Sequence, residues 1–345
     1  MELDTLTTLS HPRLKIKISR RDKSVDSFAE DVLEGLSSTP KTLPPKYFYD
    51  RLGSKLFAAI CELPEYYVTR TEFAILQTFA DDIAAQFDDN VTMVELGSGN
   101  SSKTRLLIEA FLRQKGSLHY LPVDISKSIL IETSQALLRS YRRLKITAHI
   151  SEYFTALRHL KQENSLGGAE PLRRKSKLIL FLGSNIGNFE PAEAVHFLQN
   201  TYAAMDAHDR LLMGVDLTKD KQIIEPAYND ARGVTARFNI NLLVRINREL
   251  GGHFDLSQFR HQALLNEKLG RIEMHLQSCR PQVVTIDQLN HEFFFQTGET
   301  IHTENSYKFT LSGLKKLAAR GGFEIEKTWL DARKWFSLNL LKPIM

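Results

Sequence analysis

Residues 94–104 read Val94-Glu95-Leu96-Gly97-Ser98-Gly99-Asn100-Ser101-Ser102-Lys103-Thr104. An apolar run, Val91 to Leu96, ends in two glycines one residue apart. A polar stretch then leads into Leu106, Leu107, Ala110 and Phe111 at helical spacing. Strand, tight glycine turn and helix in that order open the repeating unit of a parallel α/β sheet. Three readings of the turn compete. A dinucleotide fingerprint, GxGxxG, needs a third glycine at 102, where Ser102 stands. A P-loop, GxxxxGK[ST], is met by Gly97, Lys103 and Thr104 but also needs glycine at 102, and Leu211 to Asp216 imitates its magnesium-binding strand. The third pattern, ExGxG, sets Glu95 two residues before Gly97. A carboxylate there repels a phosphate chain at short range. It suits instead a cofactor with a cationic methionine end, S-adenosylmethionine (SAM). Asp124, closing the next strand, is placed to accept ribose hydroxyls, because open α/β sheets bind ligands at the carboxyl ends of their strands. It could also serve as a helix cap beside Ser126. Glu95, the glycines and Asp124 together favour the SAM reading and a class I, Rossmann-like methyltransferase sheet.

Outward from the turn, the same alternation continues. Ser101 or Ser102 is expected to cap a helix that runs to Lys115 and stops at Gly116. Strands are expected at Leu118 to Val123, Ile146 to Ile150, Lys177 to Leu182 and Leu211 to Val215, the last ending at Asp216. Helices are expected from Ser126 and from Pro191. Residues 162–176 read as a solvated loop. The pattern changes over 218–308, with helical stretches and β-like runs at Arg271 to Leu276 and Gln282 to Ile286. It returns with helix Ser312 to Arg320, the Gly321-Gly322 break, a strand Phe323 to Trp329 and a last strand at 336–341. One α/β domain interrupted by an insert is the expected architecture.

The chain has 345 residues, 42% of them hydrophobic and 25% charged. That length suggests about two structural units and a core that needs no disulfide or metal staple. Cys61 and Cys279 offer no CxxC or disulfide framework, which favours a reducing compartment. No apolar run approaches the roughly 20 residues of a membrane span, and the first residues lack the apolar core of a signal peptide. A cytoplasmic protein is expected. The net charge is +4. Arg13, Lys15, Lys17, Arg20, Arg21 and Lys23, against Asp22, concentrate the excess in residues 13–23. Such an arm could bind nucleic acid, but Leu14, Ile16 and Ile18 alternate with the charges as in an edge strand, and no aromatic residues interleave to stack on bases. The histidines, His149, His159, His253, His261 and His302 among them, have no metal-ligand spacing, so no metal is expected. Gly183-Ser184-Asn185-Ile186-Gly187 misses the nucleophile elbow GxSxG.

Further stretches are more specific. They are Tyr47-Phe48-Tyr49-Asp50, Glu65-Tyr66-Tyr67-Val68-Thr69-Arg70, Phe181-Leu182-Gly183-Ser184-Asn185-Ile186-Gly187-Asn188-Phe189, Ala227-Tyr228-Asn229-Asp230 with Gly233-Val234-Thr235-Ala236, Arg271-Ile272-Glu273-Met274, and Ile301-His302-Thr303-Glu304-Asn305-Ser306-Tyr307-Lys308-Phe309. In this order the set resembles the L-histidine Nα-methyltransferases of ergothioneine biosynthesis, over roughly residues 28–340. The resemblance implies trimethylation of the histidine α-amine to hercynine with three SAM. It implies a SAM-binding domain from 71–217 plus 309–345 and an α+β substrate domain from 24–70 plus 218–308, with 1–23 as a basic arm or edge strand. Tyr49 and Tyr66 would line the histidine pocket. Gly183 and Asn188 would serve where cofactor and substrate meet, with Asn188 and Tyr49 in the catalytic step. Asn188 would hold the amino or carboxylate end, and Tyr228 the carboxylate. Glu304 and Ser306 would hydrogen-bond the imidazole, with Met274 beside it. Glu95, Gly97, Ser98, Gly99, Lys103 and Asp124 would serve SAM. An acidic-aromatic pair near the adenine reads Glu152-Tyr153 here, with Glu in place of the family's Asp. The partner implied is a small amino acid, with no nucleic acid and no membrane, and a monomer is compatible with the reading.

Two of these positions have plainer explanations. Glu304 could pair with Lys308 at i,i+4 on a helix, and Met274 could be core. As a pocket residue, Glu304 would select for histidine, since a carboxylate away from water needs a partner and an imidazole supplies one where a phenyl ring does not.

Overall fold

The computed structural model describes residues 12–18, 24–165 and 176–344, and the strand before the glycine turn is Thr92–Leu96. It belongs to an eight-stranded sheet: β1 Leu14–Ile18, β2 Thr92–Leu96, β3 Leu118–Asp124, β4 Leu144–Ile150, β5 Lys177–Phe181, β6 Arg210–Asp216, β7 Phe323–Leu330 and β8 Phe336–Pro343. Their spatial order is β1-β4-β3-β2-β5-β6-β8-β7. All neighbouring pairs from β1 to β6 are parallel, whereas β8 runs antiparallel to β6 and β7. The central strands are short apolar runs buried on both faces, as a sheet covered by helices on each side requires. Val94, Leu96, Phe181, Met213 and Leu341 pack with Phe197 and Leu198 of helix Pro191–Ala203 and with Leu314 of helix Leu311–Arg320. Each such side chain contributes about 1.5–3 kcal/mol of burial.

Two compact units divide the chain. The sheet unit takes the N-terminal strand, Val68–Leu217 and Phe309–Met345. The second takes Lys23–Tyr67 and Thr218–Lys308. No helix among the described residues is long and apolar enough to cross a membrane.

The alternating basic segment is an edge strand. Leu14 and Ile16 are buried while Lys15 is exposed, and Leu14 to Ile18 pair with Ile146 to Ile150. The Arg13 guanidinium donates to the carbonyls of Leu138 (2.9 Å), Tyr141 (2.6 Å), Arg142 (2.9 Å) and Leu144 (3.0 Å). It therefore satisfies orphan acceptors at the C-terminus of helix Lys127–Ser140, where positive charge is favoured. Arg20, Arg21 and Lys23 lie outside the described residues. So does most of the expected loop at 162–176, whose beginning is instead the last turn of helix Tyr153–Ser165.

In the second unit, helix Val234–Leu250 buries Phe238, Leu242, Leu243 and Ile246 and packs on helix Arg51–Cys61 and strand Phe259–Asn266. Asp230 starts it by accepting from the main-chain N–H of Val234 (2.8 Å) and Thr235 (2.7 Å). A four-stranded sheet runs Lys41–Thr42, Thr300–Tyr307, Arg271–Ser278, Phe259–Asn266, with its last three strands antiparallel. Strict alternation of buried residues along Arg271–Ser278 marks a sheet covered on one face. A hairpin, Gln282–Ile286 with His291–Phe295, completes the unit.

Candidate active site

In the sheet unit the turn leaves β2 through Gly97, whose φ of +76° a side chain would strain and whose Cβ would lie 2.7 Å from Tyr153 Oη. The main-chain N–H groups of Gly97 and Ser98 donate to Val123 O at 2.9 and 3.1 Å. Asp124 accepts from Gly99 N–H and from Ser126 N–H, each at 2.8 Å. Its carboxylate thus braces the turn and opens the next helix at once. Burial pushes the Asp124 carboxyl up, against the pull of these main-chain donors.

Glu95 is turned inward. It accepts from the hydroxyls of Thr104 and Tyr120 and is 3% exposed. Burial pushes its carboxyl up to about 7, despite both hydrogen bonds. The carboxylate expected to face a cofactor amine therefore ties β2 to the first residue of helix Thr104–Lys115. The serine caps do not form: Lys103 is the N-cap residue, without a side-chain cap bond, and the Ser101 hydroxyl meets Tyr120 Oη at 2.9 Å.

Lys103 pairs with Glu72, a fully buried carboxylate on helix Tyr67–Ala85. Glu72 also accepts from Gly183 N–H at 2.8 and 3.0 Å. It has room because residue 214 is glycine: a Cβ there would stand 2.1 Å from Glu72 Oε1. Glu72 thus joins the residue before helix Thr104–Lys115 to the turn that follows β5. Sequence reasoning missed it. The available signal was an acidic residue on the same helix face as buried Val68, Ile75 and Leu76. Asn188 ends the short 3-10 turn Asn185–Asn188 and is half-buried. Glu152 is exposed. Tyr153 packs edge-on against Phe181, and burial raises its phenol far above the ordinary range.

One observation of the turn fits SAM: a buried Ser98 hydroxyl with no partner among the described residues. Gly97, Ser98, Lys103 and Asp124 are the residues that would hold it.

In the second unit, Tyr49 and Tyr66 both meet Phe57 edge-on, with ring centroids 5.6 and 6.4 Å away, and Tyr66 meets Tyr228 at 6.2 Å. Burial pushes the Tyr66 phenol well up, with Tyr228, Cys61, Glu304 and Tyr49 adding to the shift. Tyr66 is therefore a neutral donor near those groups. Glu304 and Ser306 lie on strand Thr300–Tyr307, so the helical i,i+4 geometry with Lys308 does not arise. Glu304 stands opposite Met274 in register. Met274 is 2% exposed, so its side chain is also core. Tyr228 Oη and Ser306 Oγ are 2.7 Å apart.

A hydrogen-bond network that sequence reasoning missed centres on Asn239. The Asn239 amide donates to His261 Nδ1 (2.9 Å) and His275 O (3.0 Å), and its oxygen accepts from Thr303 Oγ1 (2.8 Å). His261 Nε2 then donates to Tyr228 O at 2.8 Å. That network assigns a neutral His261 protonated at Nε2, and burial lowers its pKa.

A parallel sheet ending in an antiparallel pair, with the ExGxG turn and the Asp124 brace, defines a class I SAM-dependent methyltransferase. Residues 28–343 match the family described as "Histidine-specific methyltransferase, SAM-dependent". Histidine N-alpha-methyltransferase of Mycolicibacterium smegmatis is 39% identical over 319 residues, 92% of this chain and 96% of that protein. Its namesake in Mycobacterium tuberculosis is 40% identical over 311 residues, 90% of this chain and 93% of that protein. Ergothioneine biosynthesis protein 1 of Schizosaccharomyces pombe is 30% identical over 289 residues, 82% of this chain and 36% of that longer protein. The chain belongs to the SAM-dependent, histidine-specific methyltransferase family.

Proposed function

We propose that this enzyme methylates the α-amine of L-histidine, three times in succession, to give hercynine. The observation that carries this reading is the grouping, in one unit, of Tyr49, Tyr228 and Glu304 around the buried Tyr66 phenol, with Ser306 against Tyr228. SAM supplies an electrophilic methyl on a sulfonium. The nucleophile must be a neutral amine held on the S–CH3 axis, and such orientation supplies about 7–11 kcal/mol of a barrier of this kind. Protonated phenols and an amide can hold a polar head without adding a competing cation. Tyr228 is assigned to the carboxylate, Asn188 to the amino or carboxylate end, and Glu304 with Ser306 to the imidazole. The faces of Tyr49 and Tyr66 favour the increasingly cationic head group through cation–π attraction.

The test is mass-spectrometric methylation with SAM and a panel of free amino acids. Histidine should gain methyl groups stepwise. Asn188→Ala should abolish the activity, and Glu304→Ala should relax its selectivity. Methylation of tryptophan instead would overturn the histidine assignment and keep the chemistry. No methylation, with ATP hydrolysed, would overturn the reading of the Gly97 turn.

A further inference from the structure

Glu304 and Ser306 alternate along strand Thr300–Tyr307, and Lys308 continues the alternation one residue past its end, where its N–H donates to Gly270 O at 2.8 Å. A period of two places the three side chains on one face. Lys308 is 7% exposed. Its ammonium donates to Tyr228 Oη and to Ser306 Oγ, each at 2.8 Å, and lies 4.8 Å from the centre of the Tyr228 ring. With the 2.7 Å contact between the two hydroxyls, the three groups close a triangle.

Proton counting gives the triangle a direction. An ammonium has no lone pair and can only donate. Both oxygens therefore accept from Lys308, and one hydroxyl proton is used between them. The other hydroxyl proton is directed outside the triangle. A hydroxyl that accepts a charge-assisted bond is polarised into a better donor.

We propose that Lys308 is a positioning residue that, with Ser306 donating to Tyr228, makes the Tyr228 hydroxyl a donor for the substrate's carboxylate, and so restricts the pocket to free amino acids. This rests on the proposed assignment of Tyr228 to that carboxylate. Amino acids whose carboxylate is masked as an ester lose the charge that Lys308 serves through the Tyr228 hydroxyl.

The test compares kcat/KM for L-histidine and L-histidine methyl ester on the wild type, Lys308→Met and Lys308→Arg. The ratio of the two values on one preparation is independent of the fraction of folded enzyme, and the ester's altered amine basicity cancels between variants. Lys308→Met should shrink the preference for histidine over the ester by about 10- to 100-fold, mainly through KM for histidine. Lys308→Arg should restore part of it. An unchanged ratio in Lys308→Met overturns the proposal. A wild type that methylates no histidine overturns the function reading instead. Should Lys308→Met fail to fold, Lys308→Gln, which keeps a donor without charge, carries the same comparison with the same outcomes.

Discussion

Around the glycine turn of the sheet unit, charged side chains are consumed by the scaffold: Glu95 by Thr104 and Tyr120, Glu72 by Lys103 and Gly183. The second unit instead sets Glu304, Ser306 and Lys308 along one strand and a run of tyrosines beside them. The first arrangement depends on backbone shape, so changes there should register as lost stability. The second depends on side-chain identity, so changes there should register as altered selectivity with the fold intact.

The strongest way to break this contrast is Glu72→Ala. Removing the fully buried carboxylate takes away a partner of the part-buried Lys103 ammonium and of Gly183 N–H, at a cost of about 3–5 kcal/mol. Urea denaturation should show a loss of that size, and an unchanged midpoint would mean the scaffold does not depend on Glu72. Next comes Glu95, whose carboxyl is raised from 4.5 to about 7 by burial. The folded chain keeps a proton that the unfolded chain releases, so stability falls as pH rises from about 4.5 to 7 and levels off above. The full drop is on the order of 3 kcal/mol. Stability measured across that window should fall in the wild type and stay flatter in Glu95→Gln. Glu304→Ala should move stability by less than about 1 kcal/mol while lowering kcat/KM for histidine about 10- to 100-fold. A large loss of stability would place Glu304 with the scaffold. The smallest effect belongs to Arg13→Ala, about 1 kcal/mol from lost bonds at a helix end, read in the same denaturation experiment.

The sheet was legible because its signals are local. Apolar runs, glycine turns and Pro191 each announce an element within a few residues. Glu72 was not, because its partners Lys103 and Gly183 lie 31 and 111 residues away in sequence. Ser101 looked like a cap because its residue type suits one, but the turn takes its φ to +50° and its hydroxyl to Tyr120. Lys308 looked like a helical partner of Glu304. Only the strand period reveals that both share a face with Ser306, and only the fold brings Tyr228 to them.

The pairing of β6 with β8 also bears on how the chain is made. Leu211, Leu212, Met213 and Val215 are fully buried in the finished protein, yet the strand that covers their edge starts at Phe336, well after β6 ends at Asp216. During synthesis the ribosome delivers the whole insert before it delivers that cover. At roughly 5–20 residues per second, β6 waits several seconds with an open apolar edge, the kind of edge on which nascent chains aggregate. Ribosomal pausing within the insert would lengthen that wait, and chaperones that shield strand edges would matter most during it.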